Sequence, residues 1–447
     1  MNKLVLTIAA TAAVCVAGAQ QKWTLRQCID YAIENNVSIR QTALEVERAE
    51  IDLNTTQNSR LPSLSGGVGQ NFSFGRTSVD IGGDTPEYRN TQTSNTSLSL
   101  SVGMPVFQGF RINNQVKAGR IDLQASAEGL EKAKQNLGLN IAGYYLDVLF
   151  KKEILAVYRE QLALTREQVV NTAALVNEGK VARSQLYEIE AQLAQNEVSE
   201  VTAANDLALS LLDLRQALNL GQGTEFDVTE IDLADFTPAG ALALSSPDEI
   251  YDIAVGMRPA VREAELRLQS SEVSVKIARS AYLPSLNFSA NANAGYMYMF
   301  GQDFAQASLA DQIRNRHSES VGLNLSIPIF NRNSTRNNVR SARIGVANQT
   351  LALEGVKQAL YKEIQQAYQR AVAAEARYES STKALVASRE AFRAMELRYE
   401  GGKATVYEYS DAHTKLISSQ SDQTQAKYDF VFSTKILDFY RGLPLAM

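Results

Sequence analysis

The chain has 447 residues, 21% of them charged and 45% hydrophobic, with 44 basic and 49 acidic residues and a formal net charge of −5. That length buries a sizeable core and by itself suggests two or three domains. The slight acidic excess argues against nucleic acid as a partner.

The amino terminus reads as a targeting segment covering residues 1–19. Lys3 supplies the charged start, Leu4 to Val16 is apolar, and Ala17-Gly18-Ala19 is an A-x-A cleavage motif. The mature chain then begins at Gln20. Val14 ahead of Cys15 does not fit a lipoprotein site. Removing the segment leaves Cys28 alone, so no intrachain disulfide is expected. No other apolar run is long enough for a spanning helix. An exported chain of this kind is periplasmic, secreted or an outer-membrane β protein.

Trp23 to about Arg60 reads as one helix, with Leu25, Ile29, Ala32, Ile33 and Ile39 on one side. Leu61-Pro62-Ser63-Leu64 stops it, because proline disfavours helix at the residue before it. The chain then alternates. Leu64, Val68, Phe72 and Phe74 point one way, and Ser65, Gly67, Gly69, Asn71 and Ser73 the other. Gly75 to Asn95 is polar, contains Gly82, Gly83 and Pro86, and reads as a loop. A second strand sets Leu98, Leu100, Val102 and Met104 against Ser97, Ser99, Ser101 and Gly103, and Pro105 ends it.

Arg111 to Val176 is free of proline and reads as one helix. Val116, Leu123, Leu130 and Leu137 are spaced by sevens. After a four-residue step come Ile141, Val148, Leu155, Leu162, Val169 and Val176, again by sevens. Such a repeat keeps one seam toward a partner helix, and the step is a stutter that locally unwinds a supercoil. At 1.5 Å per residue the helix is roughly 100 Å long and needs packed neighbours to cover its seam. Glu178-Gly179-Lys180 turns the chain back. The return helix carries Leu186, Leu193, Leu207 and Leu214 by sevens, with Glu200 in the gap, and Gly221-Gln222-Gly223 ends it. Residues 224–246 are an irregular connector with room for one short strand.

The programme then repeats. Ile250 to Ala281 reads as helix, and Leu283-Pro284-Ser285-Leu286 copies the first junction. A strand sets Leu286, Phe288, Ala290, Ala292, Tyr296 and Tyr298 against Asn287, Ser289, Asn291 and Asn293. Gly301 to Ser318 reads as a polar loop. The fourth strand sets Val321, Leu323, Leu325 and Ile327 against Gly322, Asn324 and Ser326, and Pro328-Ile329-Phe330 echoes Pro105-Val106-Phe107. The seam returns 223 residues on, at Val339, Val346, Leu353, Leu360, Ile364, Ala371, Tyr378, Leu385, Phe392 and Tyr399, with the stutter in the same place. Gly401-Gly402-Lys403 ends this helix. The last one carries Tyr409, Leu416, Phe430 and Leu437, with Gln423 where Glu200 stood. Two structural repeats follow. Residues 20–235 hold a helix, a hairpin at 62–107, a long helical hairpin at 110–220 and the connector. Residues 236–447 hold a helix, a hairpin at 284–330 and a long helical hairpin at 333–440. Together they argue for one elongated body.

Each expected strand has about ten alternating residues, enough to cross a bilayer at a tilt with the apolar face in lipid and the polar face toward a lumen. Phe72, Phe74, Tyr296, Tyr298 and Phe300 lie toward the loop ends, as an interfacial girdle does. A half-buried soluble hairpin fits the alternation as well. In lipid, four strands cannot close a barrel and open edges are not tolerated, so copies must combine. Two copies give eight strands with a filled interior, and three give twelve with room for water.

The order of helix, LPSL junction, hairpin, Pro-x-Phe junction, long helix, glycine turn and return helix, twice over, resembles the TolC-type outer membrane efflux proteins. The resemblance covers essentially the whole mature chain. It implies an α+β membrane protein in the outer membrane of a Gram-negative cell: a homotrimer whose 12-stranded β-barrel continues as an α-helical coiled-coil periplasmic tunnel. It also implies a passive duct that takes substrates from an inner-membrane RND or ABC transporter through a periplasmic adaptor, as in tripartite efflux or type I secretion. Outer membrane lipid surrounds the barrel. No catalysis and no cofactor are implied.

The stretch from Gly402 to Ala412 resembles the family's second tip, in which two acidic residues ring the periplasmic entrance. Glu408 and Asp411 hold those positions, and the resemblance places Tyr399, which is retained, with them at the pore aperture. Stacked acidic rings select cations and constrict a pore. A solvated acidic face at a helix start accounts for the same residues through the macrodipole. Gly179, Lys180, Gly402 and Lys403 correspond to the adaptor-docking tips. Ala404 stands where a latching basic residue is common, and Ser184 and Gln185 replace a more acidic pair. These departures leave the form of the closed latch open.

Other constellations fall short. Gly66-Gly67-Val68-Gly69 lacks the spacing of a nucleotide loop. The two histidines are His317, placed in a loop, and His413, taken as solvated, with metal binding beside Asp411 the lesser alternative. No nucleophile–base pair stands out. Against the duct stands a soluble periplasmic coiled-coil scaffold, which needs no membrane.

Overall fold

The computed structural model describes residues 22–79, 87–221, 226–230, 246–301 and 306–445. The targeting segment and most of the connector lie outside the described residues. In chain order the elements are β1 (Lys22–Trp23), α1 (Leu25–Asn35), α2 (Val37–Asn58), β2 (Ser63–Val79), β3 (Glu87–Gln108), α3 (Arg111–Asn177) and α4 (Arg183–Leu218). Then come β4 (Asp227–Val228), α5 (Pro247–Met257), α6 (Pro259–Ser280), β5 (Ser285–Phe300), α7 (Leu309–Asn315), β6 (His317–Ser326), α8 (Ser334–Glu400) and α9 (Val406–Tyr440). The repeat holds closely in the helices: α1 and α5 have 11 residues, α2 and α6 have 22, and α3 and α8 have 67.

Two expected single helices are each broken in two. Asn36 ends α1 in an extended conformation, and its Oδ1 accepts the Ser38 N–H at 2.9 Å, which caps α2. In the second copy Arg258 is extended because Pro259 follows it, and that proline then opens α6. The hydrophobic pattern runs through both breaks, so periodicity alone did not reveal them. The return helix also stops earlier than expected. Asn219 adopts the left-handed conformation (φ 58°), and Leu220 N–H reaches back to Arg215 O at 3.0 Å.

The chain forms two compact units that do not follow the repeats. One takes residues 1–43, 129–261 and 356–447, and the other 44–128 and 262–355. The first is helical. Its core gathers Leu25, Cys28 and Ala32 of α1, Ile141, Tyr145 and Val148 of α3, Leu214 and Leu218 of α4, and Phe226 and Val228. The short parallel pair β1–β4 closes over it, and the Tyr145 hydroxyl donates to both Thr229 O at 2.7 Å and Trp23 O at 3.1 Å. All ten seam residues named on α3 and all ten on α8 are buried or half-buried.

Between α3 and α4 a buried polar layer interrupts the apolar seam. Asn196 donates to Thr165 Oγ1 at 2.8 Å and accepts from Gln161 at 3.2 Å and Gln192 at 2.9 Å. Such a layer is fully paired in one helix register only.

The second unit is built on an antiparallel sheet in the order β2-β3-β5-β6. Facing residues on neighbouring strands share a side of the sheet, so the registers assign both faces. One row reads Leu64, Val102, Ala290 and Val321, and the next row on the opposite face reads Ser65, Ser101, Asn291 and Ser320. Phe72 and Phe74 fall in the rows of Tyr298 and Phe300, so the expected aromatic residues do form a band on the apolar side.

The strands are longer than expected. Gly75 to Val79 pairs with Glu87 to Thr91, so much of the polar stretch read as a loop is ladder. Its sequence lacks an alternation of apolar and polar residues, so it gave no strand signal. β3 also passes Pro105 to reach Gln108, with a register shift between Pro105 and Phe107. The expected loop from Gly301 to Ser318 contains α7 and the start of β6, where His317 begins the strand.

Each hairpin hands over to its long helix through two successive left-handed residues, Gly109 and Phe110 in the first copy, Arg332 and Asn333 in the second. A Cβ at Gly109 would meet Ser280 O at 2.6 Å, so this position requires glycine for space as well as conformation.

Candidate functional site

Two helical turns of matching geometry close the hairpins α3–α4 and α8–α9. Gly179 and Gly402 are both left-handed, at φ 72° and 66°. Lys180 N–H reaches Leu175 O at 2.9 Å, and Lys403 N–H reaches Arg398 O at 2.8 Å. These are Schellman turns, which leave the glycine and the lysine at the outermost point. All four residues are exposed, and Lys180 pairs with Glu178 at 2.6 Å.

Thr405 then starts α9 with a reciprocal cap. Its Oγ1 accepts the Glu408 N–H at 3.2 Å, and Glu408 Oε2 accepts the Thr405 N–H at 2.8 Å. These hydrogen bonds hold the Glu408 carboxyl below its ordinary range. Asp411 lies one turn on and accepts from Lys415 at 2.6 Å. Both acids are exposed and stand on one side of the helix.

Tyr399 lies on the other, packed side. Its ring is 4.9 Å from that of Tyr409, which is buried, and Phe392 and His413 complete an aromatic cluster. The solvated position expected for His413 is therefore corrected. The ring is a core group that faces α8, because Tyr409 and His413 are four residues apart on the buried stripe of α9. Sequence reasoning also missed Gln168, Gln192 and Ser410. The Gln168 amide donates to the Tyr409 hydroxyl, and Ser410 donates to Gln192 at 2.9 Å. Both bonds join α9 to the first hairpin. Uncharged side chains at such positions carry no pattern that singles them out.

The sheet adds a surface with two chemistries, serine and asparagine on one side and exposed Leu64, Val68, Leu323 and Leu325 on the other. Among the described residues no helix is long and apolar enough to cross a membrane. No group of three or more metal-binding side chains occurs among the described residues.

The family model described as "Outer membrane efflux protein" matches residues 28–220 and 250–438, one segment in each repeat and most of the chain between them. The chain belongs to the outer membrane efflux protein family. Its place is the outer membrane, and a family of channel proteins is where it sits rather than among enzymes. The soluble scaffold is set aside by this membership.

Similar proteins agree. Outer membrane efflux protein BepC of Brucella suis is 23% identical over 93% of this chain and 84% of its own length. Outer membrane protein TolC of Escherichia coli is 22% identical over 97% and 85%. Among solved structures, the CusC channel superposes with a TM-score of 0.77 at 18% identity, covering 94% of this chain and 92% of the other. The CmeC outer membrane channel of Campylobacter jejuni gives 0.72 at 18%, covering 95% and 87%. These structural likenesses establish that the outer membrane efflux protein shares their fold.

Proposed function

We propose that this protein is the outer-membrane exit duct of a tripartite efflux or type I secretion system. Three copies close their sheets into a twelve-stranded barrel, and their helices form the periplasmic tunnel. Substrates pass from an inner-membrane RND or ABC transporter through a periplasmic adaptor and are not chemically changed.

The observation that carries this reading is the sheet itself. It is apolar on one face and polar on the other, and β2 and β6 each have a neighbour on one side only. Lipid does not tolerate such edges.

The repeats support a second copy of the chain as the missing neighbour. Leu266 and Val273 of α6 are 3% and 4% exposed, whereas their counterparts Leu44 and Ile51 of α2 are 62% and 58% exposed. Likewise Phe107, which pairs with Leu286 at the end of β3, is 37% exposed, while its counterpart Phe330 beyond β6 is 78% exposed. What one repeat covers within the chain, the other leaves for another copy to cover.

At the tip, Glu408 and Asp411 form acidic rings at the aperture in three copies, with Tyr399 fixing the helix behind them. Gly179, Lys180, Gly402 and Lys403 form the adaptor-docking points. Their exposure on both turns supports this assignment.

Planar-bilayer conductance tests it. The wild type is expected to prefer cations and to be blocked by trivalent cations, and the Glu408→Ala/Asp411→Ala double variant to lose much of both. Unchanged selectivity and block would leave the pair as a solvated helix start.

A further inference from the structure

His413 lies on the buried stripe of α9. It is 5% exposed, and its ring stacks on Phe392 of α8 at 4.9 Å with 29° between the planes. Tyr409 lies 6.1 Å away, touches Phe392 and Tyr399, and accepts from Gln168 of α3. The cluster therefore joins α9 to α8 and to the first hairpin, within three turns of the Gly402 turn.

The rings beside His413 are those of Phe392 and Tyr409. The titratable groups facing it are the phenols of Tyr409 and, behind it, Tyr399. Glu396 and Glu400 of α8 bear on Tyr409, whose hydroxyl burial pushes up to about 12. The first hairpin contributes Gln168 and, through Ser410, Gln192, neither of which ionises. Burial alone acts on His413 and holds its imidazole below the ordinary 6.5. Among the described residues no hydrogen-bond partner for the ring is found. A neutral imidazole has one N–H to satisfy and an imidazolium has two. Stacking presents the ring face, and not an N–H, to Phe392, so Phe392 offers the imidazolium no hydrogen-bond acceptor.

We propose that His413 is a proton-responsive pin of the tip: protonation of its ring loosens α9 from Phe392 of α8 and frees Tyr409 from Gln168, so that the second hairpin opens on acidification. The direction follows from linkage. The loosened tip, with His413 in water, takes up its proton near pH 6.5, and the packed tip only at lower pH. Packing is therefore at full strength above that range and weakens as pH falls below it. This rests on the packing of the tip alone and stands whether or not the tip is a pore aperture.

Hydrogen exchange on the full chain in detergent tests it. Between pH about 7.5 and about 5.5, after correction for intrinsic exchange, opening of residues 390–415 is expected to rise severalfold. His413→Phe, which fills the cluster without an ionisable group, is expected to abolish the rise. A wild type without acid-induced opening, or a His413→Phe protein that retains it, overturns the proposal. Imidazole NMR gives a second measurement that needs no change at the site. The chain has 2 histidines, and His317→Asn assigns the remaining signal. A His413 midpoint below 6.5 is expected, and one at or above 6.5 overturns the proposal.

Discussion

Gln312 of α7 takes the place of a strand beside Met297 of β5. Its Oε1 accepts the Met297 N–H at 3.0 Å and its amide donates to Met297 O at 2.9 Å. Gln306 does the same for Met299. β6 pairs with β5 no further than Ala294, so these two amides satisfy the backbone where the ladder ends.

Gln312→Ala should accordingly expose one backbone donor and one acceptor. A buried group left unpaired costs about 1–3 kcal/mol. Amide exchange at Met297 is expected to accelerate, with Met299 less affected because Gln306 remains. Unchanged protection at Met297 would mean that water replaces the glutamine without cost.

The seam predicts a larger effect. Leu155 is buried with Ile154 and Ala203, against Phe150, Tyr158 and Leu207. Leu155→Asp loses that contact, worth about 2–5 kcal/mol for leucine truncations, and adds an unpaired charge. Thermal unfolding by circular dichroism should shift strongly downward, with loss of assembled protein. A melt like that of the wild type would place Leu155 outside the seam.

The long helices, the two turns and the alternating parts of the strands were legible because each has one dominant cause: a seven-residue period, glycine past a helix end, or apolar residues at every second place. The break at Asn36 was hidden because the apolar period continues across it, whereas Pro259 signals the break at Arg258. Gly75 to Val79 and its partner strand were hidden because their sequences lack a two-residue alternation. At the tip, the acid pair was visible as sequence, whereas the burial of His413 depends on Phe392 from another helix. Asn196 was hidden for a related reason, since a polar residue in a seam reads as an exposed one until its partners Gln161 and Thr165 are in place.

That polar layer carries its own prediction. Asn196→Ala strands Gln161, Thr165 and Gln192, and a loss of about 1–3 kcal/mol is expected. Asn196→Leu should recover stability while allowing α4 to shift along α3. Cysteine cross-linking between the two helices would report a broadened register, and a single register in Asn196→Leu would assign specificity to the apolar seam instead.

The cap of α9 should respond to acid in a defined direction. Hydrogen bonds from Thr405 hold the Glu408 carboxyl below its ordinary 4.5. A depressed carboxyl stabilises the fold above that value, and the contribution is lost as pH falls through and below it. Exchange at the first α9 amides should therefore rise on acidification below about pH 4.5. Glu408→Gln, which keeps a capping acceptor without a charge, should flatten this response. An equal response in Glu408→Gln would assign it elsewhere.

Three copies closing one sheet place β6 of one copy beside β2 of the next, and a designed cross-link between copies reads that pairing. Val102 pairs with Ala290 inside the chain. The repeat counterparts of these two residues are Leu325 and Val68, since Leu286 pairs with Leu325 as Leu64 pairs with Val102. With Cys15 and Cys28 replaced, a Val68→Cys/Leu325→Cys protein oxidised in its native membrane is expected to yield covalent dimers and trimers and nothing larger. A Val68→Cys/Val321→Cys protein, four residues out of register, should remain monomeric on the same gel. Monomer alone in the first protein, or a ladder running past three copies, would contradict the closed trimer.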